Sequence, residues 1–181
     1  MRTVSVLLML AALAPVPSVA QVSEAEPTSL QPLQLLLGTW RGTIDGSLGQ
    51  GVGVRSYEAI LDGQFVIMNH SSVRLPQNAS LRGDRHREMA VFSFDQIRQV
   101  IVYRAFVVEG VVTQYVCSLG SAAALDLTCE SERTENGPNI TSLLHIRAEN
   151  TFVFEEVFTL EGMEPEPITF RNRWVREPVL P

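Results

Sequence analysis

Beyond Gly38, short runs of β-branched and aromatic residues alternate with clusters of turn residues. Such runs are typical of strands, and separators such as Asp62-Gly63 and Asn136-Gly137-Pro138 are typical of tight turns between sequential strands. Phe154 and Phe158 share one face of their strand, as a half-buried strand requires. The pattern predicts ten strands, at residues 39–45, 51–60, 64–74, 88–94, 99–107, 111–119, 125–132, 140–147, 151–160 and 167–176.

A short helix is predicted immediately before the first strand. Leucines at positions 30, 33, 36 and 37 lie on one helical face, Ser29 can cap the helix, and Gly38 ends it. Ten sequential strands without covering helices leave two sheet edges, and closure into a barrel removes both. The predicted fold is therefore all-β: a closed, antiparallel, up-and-down barrel of ten strands with a short N-terminal helix at one end, over residues 29–178.

The strand at residues 99–108 is apolar on both faces. Val100, Val102 and Phe106 alternate with Ile101, Tyr103 and Val107. One face of this strand therefore needs a cover, which the leucine-rich helix, a partner subunit or a ligand could provide. A homodimer through this strand is one alternative.

The N-terminus has the features of a secretory signal peptide over residues 1–20. Arg2 precedes an apolar run, and Ser18-Val19-Ala20 supplies small residues before the polar Gln21. The apolar run is roughly half of the ~20 residues that a membrane-spanning helix needs, so no span is expected after cleavage. Residues 21–28, which are acidic and contain a proline, are predicted to form a flexible leader. The mature protein is predicted to be periplasmic or secreted.

Charge and cysteine content narrow the function classes. The formal net charge is −6 and the arginines are scattered among 20 acidic residues, so a nucleic-acid partner is not expected. Cys117 and Cys129 lie in neighbouring predicted strands, where a hairpin would bring them face to face, and an exported chain favours a disulfide. Two buried free thiols are the alternative.

The segment Leu35-Leu36-Leu37-Gly38-Thr39-Trp40-Arg41-Gly42, at the start of the first strand, resembles the calycin superfamily. Within that superfamily it looks most like the nitrobindin-like barrels and related uncharacterised bacterial exported domains. The resemblance implies that Trp40 closes one end of the barrel beneath a cation from the last strand, a role for which Arg171 and Arg173 are the candidates.

The resemblance to nitrobindin-like barrels also raises haem binding. Their iron ligand is a histidine near the C-terminus, whereas this sequence has no histidine after His145. The residues from 167 onward offer arginine, asparagine and tryptophan, which are not ordinary haem ligands. No cofactor is therefore expected, and haem is kept only as a minor alternative.

Few residues suggest chemistry. His70, His86 and His145 lack the close spacing of a zinc site, so no metal is predicted. The charged segment from Arg82 to Glu88 is read as a solvated loop at the barrel mouth rather than an anion-binding rim. No catalytic motif is found, so an enzyme has no support from the sequence.

The leading hypothesis is an exported barrel that binds a small, mainly apolar molecule in its interior. The candidate ligand-binding residues are aromatic, sulfur-bearing or imidazole side chains of the predicted strands: Met68, His70, Phe92, Tyr103 and His145. A filled barrel that acts as an interaction protein is the first alternative, and an enzyme that uses a cavity histidine or Tyr103 is the second.

Overall fold

The structure, a computed structural model, describes residues 30–78, 81–121, 123–138, 140–163 and 166–178. The predicted signal peptide, the leader and the capping Ser29 lie outside these residues. A 3₁₀-helix at Gln31–Leu36 precedes ten strands in the described part of the chain: β1 Gly38–Gly46, β2 Gly51–Ile60, β3 Phe65–Arg74, β4 Asp84–Asp95, β5 Val100–Val107, β6 Val112–Leu119, β7 Leu125–Glu135, β8 Ser142–Ala148, β9 Val153–Leu160 and β10 Ile168–Arg176.

The strands close into a single barrel. Each strand pairs antiparallel with its sequence neighbours, and β1 also pairs with β10, with Trp40 opposite Arg176. This arrangement leaves no open edge among the described strands and confirms the predicted closed up-and-down barrel with a helix at one end. Side chains along each strand alternate between the interior and the outer surface.

Strand β4 differs most from its prediction. It begins at Asp84, four residues before the predicted start, so most of the charged segment predicted as a loop is strand. Its register places Arg85 opposite Val73 and His86 opposite Ser72 of β3. Hydrophobic periodicity could not show this, because the residues that face the interior here are charged rather than apolar.

The end of the barrel next to the helix is closed by Trp40. Its indole is fully buried and donates a hydrogen bond from Nε1 to the Leu36 carbonyl at 2.7 Å. The guanidinium of Arg176 lies 4.2 Å above the indole ring and donates from Nη2 to the Leu35 carbonyl at 2.6 Å. One arginine thus ties the last strand to both the indole and the helix.

The prediction that Arg171 or Arg173 covers Trp40 is wrong. Both lie on the exposed face of β10, whereas Asn172 and Trp174 between them are buried. Because strand side chains alternate, the even-numbered positions of β10 face the interior, and Arg176 is the one that reaches the closed end.

Two glycines allow this close packing. Gly38 has φ of 114°, which side-chain-bearing residues rarely adopt, and it adjoins the Arg176 guanidinium. A Cβ atom at Gly42 would lie 2.4 Å from Cε3 of Trp174. Gly38 and Gly42 therefore let the cation and the second indole approach the backbone of β1.

The predicted disulfide is confirmed. Cys117 of β6 and Cys129 of β7 are directly opposite in the strand register and are bonded to each other. Both are buried in the core, on the interior face of the barrel. The alternative of two free thiols is wrong.

Replacing both cysteines with alanine is expected to lower the free energy of unfolding by about 2–3 kcal/mol, because the cross-link restricts the unfolded chain. Urea unfolding followed by tryptophan fluorescence measures this difference. The double variant is also the control for reductant, since dithiothreitol should lower the unfolding midpoint of the parent protein and leave that of the variant unchanged. Equal midpoints for oxidised parent and variant would contradict the prediction.

Candidate functional site

The half of the barrel away from the helix contains a cavity of about 400 Å³. Its base is polar, and its upper wall is largely apolar except on the side formed by β3 and β4, where charged residues line it. The mouth lies near the partly exposed Leu48 of the β1–β2 loop and Glu109 of the β5–β6 turn. The apolar lining consists of Ile44, Leu48, Ala105, Val107, Val111, Pro138, Ile140, Leu144, Phe158, Leu160 and Phe170.

The opposite half of the barrel is filled by aromatic side chains. Phe154 packs edge-on against Trp40, with ring centroids 4.7 Å apart, and stacks on Trp174 at 6.0 Å. Phe92 lies 4.5 Å from Tyr103. This packing of the described residues leaves no open space beneath the cavity. The barrel is therefore filled only at its closed end.

A buried ion pair lies at the base of the cavity. The guanidinium of Arg55 in β2 donates two hydrogen bonds to the carboxylate of Glu156 in β9, although the residues are 101 positions apart. Arg55 also lies 4.5 Å above the ring of Trp174. Burial would lower the pKa of Arg55, but the adjacent Glu156 carboxylate raises it well above its ordinary value, so the guanidinium stays charged.

His70 is held as a neutral hydrogen-bond donor by the same arginine. Arg55 Nε donates to His70 Nδ1 at 3.1 Å. Burial, together with the positive charge of Arg55, lowers the pKa of His70 to about 3. The imidazole proton therefore lies on Nε2. Among the described residues, no acceptor hydrogen-bonds to this nitrogen, and His70 lines the cavity.

Glu88 supplies a second carboxylate to the base of the cavity. Its Oε1 accepts a hydrogen bond of 2.5 Å from the Tyr103 hydroxyl, and its Oε2 lies 3.8 Å from His86 Nε2. Burial would raise the pKa of Glu88, but His86, Arg55 and Tyr103 outweigh it and lower the pKa to about 2. Glu88 is therefore ionised at neutral pH. We call Arg55, His70, Glu88, Glu156 and Asn172 the polar base.

Asn172 completes the polar base. It donates from Nδ2 to Glu156 Oε1 at 2.8 Å and is 8% exposed. Its Oδ1 is buried without a donor among the described residues.

Further charged residues lie between the polar base and the mouth. Arg74 donates to Asp84 at 3.0 Å and lies 4.9 Å above the ring of Phe170. His86 is 3.8 Å from Glu109 as well as from Glu88. The cavity lining therefore includes two arginines and four carboxylates, and it carries a net negative charge whichever state His86 adopts.

The predicted ligand-binding residues divide into three groups. His70 and Tyr103 line the cavity. Met68 and Phe92 face the interior but belong to the packed core beneath it. His145 faces outward, where Nε2 lies 2.7 Å from Asp126, so its prediction as a cavity residue is wrong. The reason is strand parity, because Leu144 and Ile146 occupy the interior positions of β8.

The main residues of the polar base were missed. Arg55, Glu88, Glu156 and Asn172 were absent from the predicted site because charged strand residues are usually solvated. One sequence feature could have revealed the polar base. It is a charged residue between apolar residues on the same strand face, as in Phe154-x-Glu156-x-Phe158. A residue of opposite charge at an interior position of another strand, Arg55, is its partner.

Among the described residues, no group of three or more His, Cys, Asp or Glu side chains is arranged to hold a metal ion. In the same part of the chain, no helix combines the length and the apolar character that crossing a membrane requires.

Comparison with known proteins does not identify a family. No protein-family model matches the chain, and no curated protein matches it. Among solved structures, EF1p2_mFAP2b bound to DFHBI is similar, with 10% sequence identity and a TM-score of 0.46 over 83% of this chain and 99% of that chain. Membership of the calycin superfamily therefore stays a prediction.

Proposed function

We propose that the protein binds a small, mainly apolar molecule inside the open half of the barrel. The observation that carries this proposal is the cavity of about 400 Å³, with apolar walls above an ordered polar base. Binding sites for small molecules typically have volumes of about 300–1,000 Å³ and combine apolar walls with a few polar groups. The apolar walls would supply affinity by burial, and the polar base would orient the ligand.

The polar base is organised before any ligand arrives. Arg55, Glu156, His70 and Asn172 hold one another through hydrogen bonds, and the Arg55 guanidinium lies over the ring of Trp174. A rigid base lowers the cost of ordering side chains on binding. The Nε2 donor of His70, which lines the cavity, would then be available to a polar atom of the ligand.

Replacing Val107, which faces the cavity, with tryptophan is expected to weaken binding, because the indole would occupy part of the space that the ligand needs. Phe106→Trp, on the outer face of the same strand, is the matched control and should bind as the parent does. Native mass spectrometry and tryptophan fluorescence with a panel of apolar ligands, haemin included, would measure retention. The proposal would be contradicted if the parent retained no ligand of the panel, or if both variants bound equally well.

The haem alternative concerns the last strand, where the resemblance implies an iron ligand. The interior residues of β10 are Phe170, Asn172, Trp174 and Arg176. None of these side chains is an ordinary haem ligand. We propose that the bound molecule is not haem, which the haemin arm of the panel tests.

We also propose that the protein acts outside the cytoplasm. The support is the Cys117–Cys129 disulfide, a bond that persists in oxidising compartments, together with the N-terminal signal pattern. Intact mass spectrometry of the secreted protein, with Gln21 or its pyroglutamate form as the expected first residue, would test this, and a mass that includes residues 1–20 would contradict it.

The homodimer through strand β5 stays a prediction. Val102, on the outer face of this strand, is already buried within the single chain, so the chain itself provides part of the expected cover. Phe106 remains partly exposed opposite Met89. Sedimentation velocity would decide between a monomer and a dimer.

A further inference from the structure

The acidic residues of the cavity differ in how they are neutralised. Glu156 is bound by Arg55, and Asp84 is bound by Arg74. These are the two arginines of the cavity lining, and each is already engaged. Glu88 makes no salt bridge with an arginine of the described residues, although it lies at the base of the cavity with its side chain only 15% exposed.

We infer that the molecule held in the cavity carries a basic nitrogen and that its ammonium group pairs with the Glu88 carboxylate. This inference rests on the proposed function. It specifies the ligand class as an apolar amine, with the apolar part against the upper wall and the ammonium at the polar base. Glu88 is a largely buried carboxylate whose salt-bridge partner among the described residues is a histidine at 3.8 Å rather than a hydrogen-bonded arginine, so it can accept a charge-assisted hydrogen bond from such a group.

The space around Glu88 fits this assignment. Its Oε1 is occupied by the Tyr103 hydroxyl, whereas the charged neighbour of Oε2 is His86, at 3.8 Å, beyond hydrogen-bond distance. An ammonium has three donors and no acceptor. One of these donors can pair with Glu88 Oε2, which no arginine of the described residues engages.

An anionic ligand fits less well. It would face four carboxylates in the lining, and both arginines are already paired. Its donors would be His70 Nε2, which lines the cavity, and Arg74 Nε, which is buried and without an acceptor among the described residues. A carboxylate ligand at Arg74 is therefore the competing result that the experiment must be able to detect.

The test uses three ligands that share one decyl chain and differ in the head group: decylamine, decanol and decanoate. Isothermal titration of the full mature chain is expected to give an affinity for decylamine about tenfold above that for decanol, with decanoate weakest. Equal affinities for all three, or a preference for decanoate, would overturn the inference. Decanol binding alone would leave the proposed function supported, whereas binding of none of the three would count against the proposed function itself.

The variant Glu88→Gln tests whether Glu88 is the cause of the preference for decylamine. This variant is expected to lose the roughly tenfold advantage of decylamine while keeping its affinity for decanol, which also shows that the cavity is intact. Glu109→Gln removes a carboxylate at the mouth of the same cavity and should change the preference little, because Glu109 is half exposed. An equal loss in both variants would overturn the assignment to Glu88. If Glu88→Gln does not fold, the head-group series on the parent protein still decides the ligand class.

Discussion

Arg55→Met is expected to lower the free energy of unfolding by about 3–5 kcal/mol, because it leaves the Glu156 carboxylate buried without its counter-charge. Glu156 is 3% exposed and its remaining described partner is the Asn172 amide. The substitution also removes the donor to His70 Nδ1 and the cation above Trp174. Urea unfolding followed by circular dichroism would measure the loss.

The control is the double variant Arg55→Met with Glu156→Met. Removing both charges leaves no unpaired ion, so the double variant should be more stable than Arg55→Met alone. Glu156→Met alone completes the comparison: if the losses of the two single variants simply add in the double variant, the ion pair does not couple the strands as the contacts indicate. The double variant should also lose the orientation of His70, because the Nε donor is gone, and ligand affinity should fall even where stability recovers.

Trp40→Ala is expected to cost about 3–5 kcal/mol of unfolding free energy, since the largest side chain at the closed end would be replaced by a cavity. The indole is fully buried, packs edge-on against Phe154, and lies beneath Arg176. Trp40→Phe should cost less because it keeps an aromatic ring but loses the hydrogen bond to the Leu36 carbonyl. Thermal unfolding of the two variants beside the parent would rank these losses.

A matched pair of arginines tests whether the cation over Trp40 is correctly assigned. Arg176→Met should destabilise the protein by about 0.5–2 kcal/mol through loss of the ring contact, in addition to its hydrogen bonds to the helix. Arg173→Met, on the exposed face of the same strand, should change stability by no more than about 0.5 kcal/mol. If Arg173→Met were the more destabilising of the two variants, Arg173 rather than Arg176 would be the residue that covers Trp40.

The polar base removes charged groups from water, which costs free energy of folding. Its presence therefore needs an explanation other than stability. A buried ion pair is often no more stabilising than well-packed apolar residues of similar volume. The closed half of the same barrel is filled with aromatic side chains, so apolar packing is available to this chain. Charges kept beside a cavity therefore agree with a role in binding, as the proposed function requires.

Much of the fold could be predicted from the sequence because strands and turns are local features. A period of two and turn residues such as Asp62-Gly63 mark each hairpin within a few residues. With ten sequential hairpin-linked strands, closure is the simplest way to remove the edges. The Cys117–Cys129 bond follows from the same hairpin geometry, since the two residues are neighbours across β6 and β7.

Only the tertiary structure decided which residues meet inside the barrel. The face of a strand that points inward depends on register and closure, and a shift of one residue exchanges the two faces. For this reason the sequence offered Arg171 and Arg173, rather than Arg176, as the cation above Trp40, and it included His145 among the candidate ligand-binding residues. The pairing of Arg55 with Glu156 depends on two strands that closure brings together across 101 positions, so no local pattern contains it. The chain itself determined that a barrel forms, and the closed barrel determined where its charges lie.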